Sequence, residues 1–467
     1  MIGGLRGATG RYALAVAVGA VMAGAFVGTP ALADDLGGDC CADLEERVAE
    51  LEATTVRKGN KKISVKVYGR LNRAVNFWDD GVEKNVYVVN NSYSSSRFGI
   101  EGKGKIGGDW SAGYRFEIES SGALSKELDQ IDDDHDLQGI LVRRSAMFIG
   151  NKKYGDIWMG LWSTAKDDIT KDNIVIKGLD QTMHQDFYMN WDMFLRPKGF
   201  DTELGPGAAV PGATPIRYRD IARCYSSSSS TFDCSTRRNL VRYDTPDWNG
   251  FVASWAWGED DIWSTGLRYN SEWGKNWKVG AGIAYEDFTD ERVNAGGGGL
   301  AGFKRDIKEY AGSASIINNP TGIFLWGAFS NSENDDSNAI GVFTGTRAPE
   351  KKAWDIAGGL HRDFFALGKT TIWGGYTQVE DGLGFNATRS VSPGRIATVL
   401  IPTEMTGSEL TKWYLGFDQA IDSAAMNLYV AYQHIEPDVD LVDSALDSVS
   451  APLDDFDVVF AGARMQF

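Results

Sequence analysis

Residues 458–467 read "VVFAGARMQF". From Val459 onward every second residue is apolar: Val459, Ala461, Ala463, Met465 and Phe467. A period of two marks a strand with two different faces. The alternation runs to the final residue, where a water-soluble domain ordinarily carries a frayed polar tail. A strand that does not fray needs a partner along its whole length, and the remainder of the chain predicts one.

The same period begins at Ile63. In "ISVKVYGRLNRAVNF" (63–77), Ile63, Val65, Val67, Leu71, Val75 and Phe77 share one face. Ser64, Lys66, Tyr68, Arg70, Asn72 and Asn76 share the other. "WSAGYRFEIES" (110–120) repeats the pattern, as do 277–285, 371–379, 412–420 and 426–434 with varying fidelity. One apolar and one polar face fits a half-buried sheet, or a barrel with lipid outside and water inside.

The connections decide between these. Short ones such as "KIGGDW" (105–110) and "EWGKNW" (272–277) alternate with long acidic ones such as "SGALSKELDQIDDDHD" (121–136) and "EPDVDLVDSALDSVSAPLDD" (436–455). Eight loops and seven turns join sixteen strands and place all turns at one end, which is the layout of a transmembrane barrel and not of a soluble sandwich. Lipid demands closure, because an open sheet edge leaves backbone groups unpaired at several kcal/mol each. The terminal strand is therefore expected to pair with the strand at 62–78. Trp78, Trp110, Trp158, Trp273, Trp277 and Trp413, near strand ends, suit girdles at the two membrane interfaces.

Composition agrees. The chain has 467 residues with 55 Gly, only 12 Pro, and 15 Trp, 17 Tyr and 22 Phe, a turn-rich and aromatic-rich profile that favours an all-β protein. Beyond the N-terminus no stretch is apolar enough for a membrane helix. Arg6 and Arg11, the apolar "YALAVAVGAVMAGAFVG" (12–28) and "ALA" (31–33) form a signal-peptide pattern. Residues 1–33 are expected to be removed, since a membrane anchor would be longer and less broken by Gly. The formal net charge is −17, and losing Arg6 and Arg11 makes the rest more acidic, which argues against nucleic acid as a partner. Residues 34–60 form a short periplasmic segment whose "DLEERVAELEATTV" (43–56) is helical in pattern, either a surface helix or a small coiled coil. Residues 61–467 form the barrel. Cys224 and Cys234 flank "YSSSSSTFD", and in an exported chain this predicts a loop disulfide. Adjacent Cys40 and Cys41 either cross-link subunits or stay free, since neighbouring cysteines pair only with strain.

In order along the chain, "LEERVAELEATTVRKGN", "VYGRLNRAVNFWDDG", "SSSRFGIEGKG", the Cys224–Cys234 loop before "NLVRYDTPDWNGF", and the terminal Phe467 resemble the alphaproteobacterial general porins over roughly residues 34–467. The resemblance implies a trimeric sixteen-stranded barrel in the outer membrane, in contact with lipid and lipopolysaccharide. It implies a third loop folded inward as a constriction, and passive diffusion of small hydrophilic solutes. Phe467 resembles the signal read by the barrel-assembly machinery.

A barrel of this size leaves an aqueous lumen, so selectivity rests on what narrows it. The third loop, about 163–235, is the longest. A loop inside a barrel is tolerated because it lines water. It carries Asp167, Asp168, Asp172, Asp180, Asp186, Asp192 and Asp201, with Trp191 and Phe194 available to pin it. Facing it, the polar parity offers Lys66, Arg70, Arg97, Arg115 and Arg143, although alternation does not decide between Arg143 and Arg144. Acids on the loop and bases on the wall would set up a transverse field that orients polar solutes. Selectivity is expected to lean to cations because of the acidic loops, with the wall arginines as the feature that would reverse it.

Other motifs carry less. "STAK" (163–166) matches the serine-acylation motif S-x-x-K but lacks its partner elements. "GGGG" (296–299) has no following Lys-Ser/Thr and reads as a loop. His135, His184, His361 and His434 show no ligand spacing, so no metal or cofactor is expected, and no enzymatic activity. The alternatives are a substrate-specific channel for sugars or peptides, and a secreted all-β hydrolase with a carboxylate pair.

Overall fold

The computed structural model describes residues 63–132, 139–171, 190–198, 216–225, 231–232, 234, 237–293, 303–335, 344–347, 349–383 and 403–467. The sequence expectations for residues 1–60, Cys40, Cys41, Asp172, Asp180, Asp186, Asp201, His135, His184 and "GGGG" (296–299) lie outside them.

Eighteen strand segments form one antiparallel sheet. In chain order they are β1 (Ile63–Asp79), β2 (Lys84–Asn90), β3 (Arg97–Gly107), β4 (Trp110–Ser120), β5 (Ile140–Asn151), β6 (Gly155–Ser163), β7 (Arg237–Asp244), β8 (Phe251–Gly258) and β9 (Ile262–Trp273). Then come β10 (Trp277–Val293), β11 (Phe303–Asn318), β12 (Ile323–Asn334), β13 (Lys351–Phe365), β14 (Gly368–Glu380), β15 (Thr403–Ile421), β16 (Met426–Asp443), β17 (Ser448–Val449) and β18 (Phe456–Gln466). Both β2 and β3 pair with β1 and are two halves of one pass, broken by a 3₁₀ turn at Ser92–Ser94. β17 is a two-residue return on β16. Sixteen passes remain.

The sheet closes on itself. β1 pairs with β18 in the register Leu71↔Met465 and Phe77↔Val459. Gly69 N donates to Phe467 O at 2.9 Å, and Phe467 N donates to Gly69 O at 3.1 Å. No edge is left at the seam, as the hydrocarbon of a bilayer requires. Tight hairpins at the turn end rely on left-handed backbone, for example Gly274 at φ +64° between Trp273 and Trp277.

Side chains alternate as the sequence predicts: Leu71 is 60% exposed on the outer wall, while Asn72 is fully buried inside. The wall is uneven in height. β7 and β8 have 8 residues each, whereas β15 and β16 have 19 and 18. About 9–11 tilted residues cross a bilayer, so the excess projects on the loop side. There the outward face of β16 turns polar at His434, Glu436, Asp438 and Asp440. Trp110, Trp273 and Trp277 are exposed outward at strand ends, as girdles require, whereas Trp413 is exposed outward in the middle of the long β15. Trp78 and Trp158 are not girdle residues. Both have inward parity: Trp78 packs edge-on against Tyr87 at 5.6 Å, and Trp158 stacks on Trp162 at 4.0 Å.

The described parts of the third connection pack against the inner face of the wall. Trp191, Met193, Leu195, Ile216, Tyr218 and Ile221 are buried in one cluster with Tyr414, Tyr429, Phe456, Val458 and Phe460 of the wall. This explains the two apolar residues at lumen parity in the closing strand: Phe460 and Val458 lie under the loop, and the Tyr218 and Phe456 rings are 5.3 Å apart. Cys224 and Cys234 form a disulfide against β12 and β13, where Lys351 Nζ donates to Ser330 Oγ at 2.7 Å and contacts the Thr231 carbonyl.

Candidate functional site: a charged ring in the lumen

The wall arginines do not stand as a bare basic surface. They converge on one carboxylate, Glu117 of β4, which shares the inward parity of Arg115. Arg143 Nε donates to Glu117 Oε1 at 3.0 Å, and Arg97 Nη1 lies 3.7 Å from the same oxygen. The Tyr68 hydroxyl donates to Glu117 Oε2 at 3.0 Å and accepts from Arg115 Nε at 2.6 Å. The Arg115 guanidinium lies over the Tyr68 ring at 4.7 Å. Arg143 Nη1 also donates to Glu119 Oε2 at 2.6 Å. Charge-assisted bonds of this kind hold guanidinium planes in fixed orientations.

A β-bulge supplies the extra cation. The β4–β5 register pairs Glu117 with Arg144 and Ile118 with Val142, so Arg143 is an additional residue. Strict alternation turns only one of two adjacent arginines inward; a bulge inserts a residue without flipping the faces beyond it. Arg143 binds Glu117 and Glu119. Arg144 lies over the Trp162 ring at 5.0 Å, with Nη2 3.4 Å from Ser163 Oγ.

Of the remaining wall bases, Arg70 Nη1 donates to Ser94 Oγ at 2.6 Å. Lys66 pairs with Glu101 at 3.7 Å and stays largely exposed, a pair worth at most about 1 kcal/mol.

The loop enters opposite this ring. After β6 it turns through Thr164–Lys171, held by Arg242 Nη1 on Thr164 O at 2.8 Å and by Ser264 Oγ accepting from Ala165 N at 2.9 Å. Arg268 Nη2 donates to Asp167 O at 2.9 Å, and Ser313 Oγ donates to Ile169 O at 2.8 Å. Lys166 and Glu309 of β11 form an ion pair at 3.3 Å with both side chains at 0% exposure. Two residues past Ile169, Lys171 lies over the Tyr93 ring at 5.6 Å, on the far side of the barrel from β11. The segment thus crosses the lumen. Asp168, at φ +61°, sits on the crossing. Burial opposes its charge, but Lys171, Arg237, Arg144 and Arg143 hold its carboxyl well below the usual carboxylate range. Arg237 Nη2 lies 3.9 Å from Asp167 Oδ2.

Asp192, the other described acid of the candidate set, is engaged within the loop itself: Arg219 Nη1 lies 2.7 Å from Oδ1, and Arg217 Nη1 lies 3.1 Å from Oδ2. Sequence reading passed over Glu117 as the hub, although its parity with Arg115 was visible, and passed over Tyr68, Arg237 and the Lys166–Glu309 pair. The Lys of the "STAK" motif is this structural anchor. His434 bonds Asp457 at 2.7 Å on the outer wall, and His361 bonds Thr371 at 2.8 Å. Among the described residues, the one set close enough to hold a metal is Cys224, Cys234 and Glu309, and those cysteines are spent in the disulfide.

The Gram-negative porin family model matches residues 13–440. No curated sequence matches the chain. Among solved structures, the anion-selective porin from Comamonas acidovorans is similar with a TM-score of 0.51 at 16% identity, covering 87% of this chain and 100% of that one. In-vitro folded OmpT, an outer membrane protein of Vibrio cholerae, gives 0.49 at 15% identity over 88% and 99%. Salmonella typhi OmpF in complex with daunomycin gives 0.45 at 13% identity over 88% and 100%. The chain belongs to the Gram-negative porin family, and its closed sixteen-strand barrel forms a diffusion channel in the outer membrane.

Proposed function

We infer that solutes pass this porin through the gap between the Thr164–Lys171 crossing and the Arg97–Arg115–Arg143–Arg144 wall. The observation that carries this is the crossing itself, tied to β11 by Ser313–Ile169 and reaching Tyr93 through Lys171. The acids Asp172, Asp180 and Asp186 belong to the same reading, as loop partners of the wall bases Lys66, Arg70, Arg97, Arg115 and Arg143. Small hydrophilic solutes cross passively, and the chain does no chemistry on them.

Guanidinium groups outnumber carboxylates where the described loop meets the wall. Charges at the mouth act through about 8–10 Å of screening salt, so the ring outweighs the acidic outer loops and the channel prefers anions. Single-channel recording in a salt gradient tests this: the reversal potential should take the anion sign, and a cation sign would overturn it. A substrate-specific channel would instead show saturable current.

The mature chain begins after Ala33, in the alphaproteobacterial branch of the family, and assembles as a homotrimer. Arg73 supports the last point. It is exposed on the outward face of β1 among Leu71, Val75 and Phe77, and β1–β3 carry no outward Trp or Tyr among the described residues. A cation on the lipid face costs about 2–4 kcal/mol near the midplane, which a protein neighbour relieves. Lipopolysaccharide and the assembly machinery are the remaining partners of this reading. Native-gel mass with and without heating checks the trimer.

A further inference from the structure

Below the arginine ring, on the turn side, three inward-facing rings form a column across β5 and β6. Phe148 and Trp158 have centroids 4.6 Å apart, and Trp158 and Trp162 are 4.0 Å apart and nearly parallel at 4°. A cation covers each end: Lys103 Nζ lies 5.7 Å from the Phe148 centroid and Arg144 lies 5.0 Å from that of Trp162. Gly113, between Lys103 and Phe148 in register, leaves the space that Phe148 occupies; a Cβ there would come within 2.5 Å of its ring. Trp162 is buried against Ala146, Ala165 and Leu240, whereas Phe148 and Trp158 keep part of their surface open and Lys103 is exposed.

The electrostatics of this column are one-sided. Aromatic faces are negative and edges positive. Here the faces are satisfied by one another and by the two cations, so what meets the lumen is a strip of positive ring edges with an exposed ammonium at one end. Such a strip attracts the negative face of another ring in edge-to-face geometry, and an anion beside it. Lys103 offers a single ammonium at this end of the column, which matches a ligand with a single charge.

We propose that this column is a binding site for a small monoanionic aromatic carboxylate, with its ring against the edges of Phe148 and Trp158 and its carboxylate on Lys103. The proposal rests on the channel reading, since the ligand enters along the lumen. Sodium benzoate is the probe, with cyclohexanecarboxylate (same charge, no π face) and acetate as controls. In planar bilayers the purified protein should show brief current interruptions with benzoate, several-fold fewer with cyclohexanecarboxylate and none with acetate. Equilibrium dialysis of labelled benzoate should show the same order. Trp158→Ala should weaken benzoate binding roughly fivefold to tenfold, the scale of one lost aromatic contact, and Trp158→Phe should restore most of it. Lys103→Gln should weaken benzoate without changing its margin over cyclohexanecarboxylate, and serves with Trp158→Phe if the alanine variant does not assemble. Equal responses to benzoate and cyclohexanecarboxylate, or unchanged binding in these variants, would overturn the site while open-channel conductance stays normal. Absence of conductance with benzoate retained in dialysis would refute the channel and leave the site standing.

Discussion

Gly69 and Phe467 exchange both of their backbone hydrogen bonds, at 2.9 and 3.1 Å, and the Phe467 ring lies over the glycine. A Cβ at Gly69 would stand 2.4 Å from that ring and 2.8 Å from the Arg97 carbonyl oxygen. Deleting Phe467 should therefore cut the yield of heat-modifiable folded barrel on gels, while channels that do form keep wild-type conductance. Gly69→Val should reproduce the assembly defect. Normal yields from both would contradict this account of the seam.

Glu117 holds Arg97, Arg115 and Arg143 in one place. Glu117→Gln keeps the shape but removes the charge. The reversal potential in a salt gradient should move further toward anions. The temperature at which the barrel unfolds in detergent should fall, because like charges at short range now face one another.

Arg143 is the bulge residue, so deleting it restores a regular β4–β5 ladder. That deletion should yield a folded channel with one fewer wall charge. Deleting Met147, four positions on, has no bulge of its own to absorb it and exchanges inner for outer faces along the strand. It should abolish assembly, as read by outer-membrane fractionation.

Asp168 stays charged well into acid. A depressed carboxyl contributes stability that is present above its unfolded value and lost only as pH falls through the folded one, which here lies well below the ordinary range. The difference in reversal potential between wild type and Asp168→Asn should thus persist at pH about 4, where an ordinary aspartate is half protonated. Its disappearance by that pH would show that Asp168 is solvated and free of Arg144 and Arg237.

Lys166 and Glu309 are both fully buried. Breaking such a pair from one side costs about 3–5 kcal/mol because the remaining charge is stranded. Lys166→Met should loosen the Thr164–Lys171 crossing, raise single-channel conductance and increase current noise. Adding Glu309→Leu should quiet the noise again, since two apolar residues can pack in the same space.

The wall was legible in the sequence because its signal is local. A period of two places Leu71, Val75 and Met465 outside and Asn72 and Arg464 inside without any knowledge of neighbours, and short turns against long loops give the strand count. The ring was legible only in part. Arg97 and Arg115 follow from parity, but a bulge adds a residue without marking it in the sequence, so the inward turn of both Arg143 and Arg144 was hidden. Trp158 was misread because its parity says inward while its residue type suits a girdle; a column of aromatic partners decided the matter. The crossing of Thr164–Lys171 depends on contacts with β9, β11 and Tyr93, 78 to 144 residues away in the chain, which no local pattern encodes.

Tyr218 of the third loop rests on Phe456 of the last strand, while Asn190 of the same loop accepts a hydrogen bond from Asn76 of the first. Both strands of the seam are therefore read by a single inserted segment. The loop cannot complete its packing until the first and last strands have met, and their meeting is reinforced once it does. Seam and insert act as mutual templates, so a barrel joined out of register would be left with an interior that does not fit.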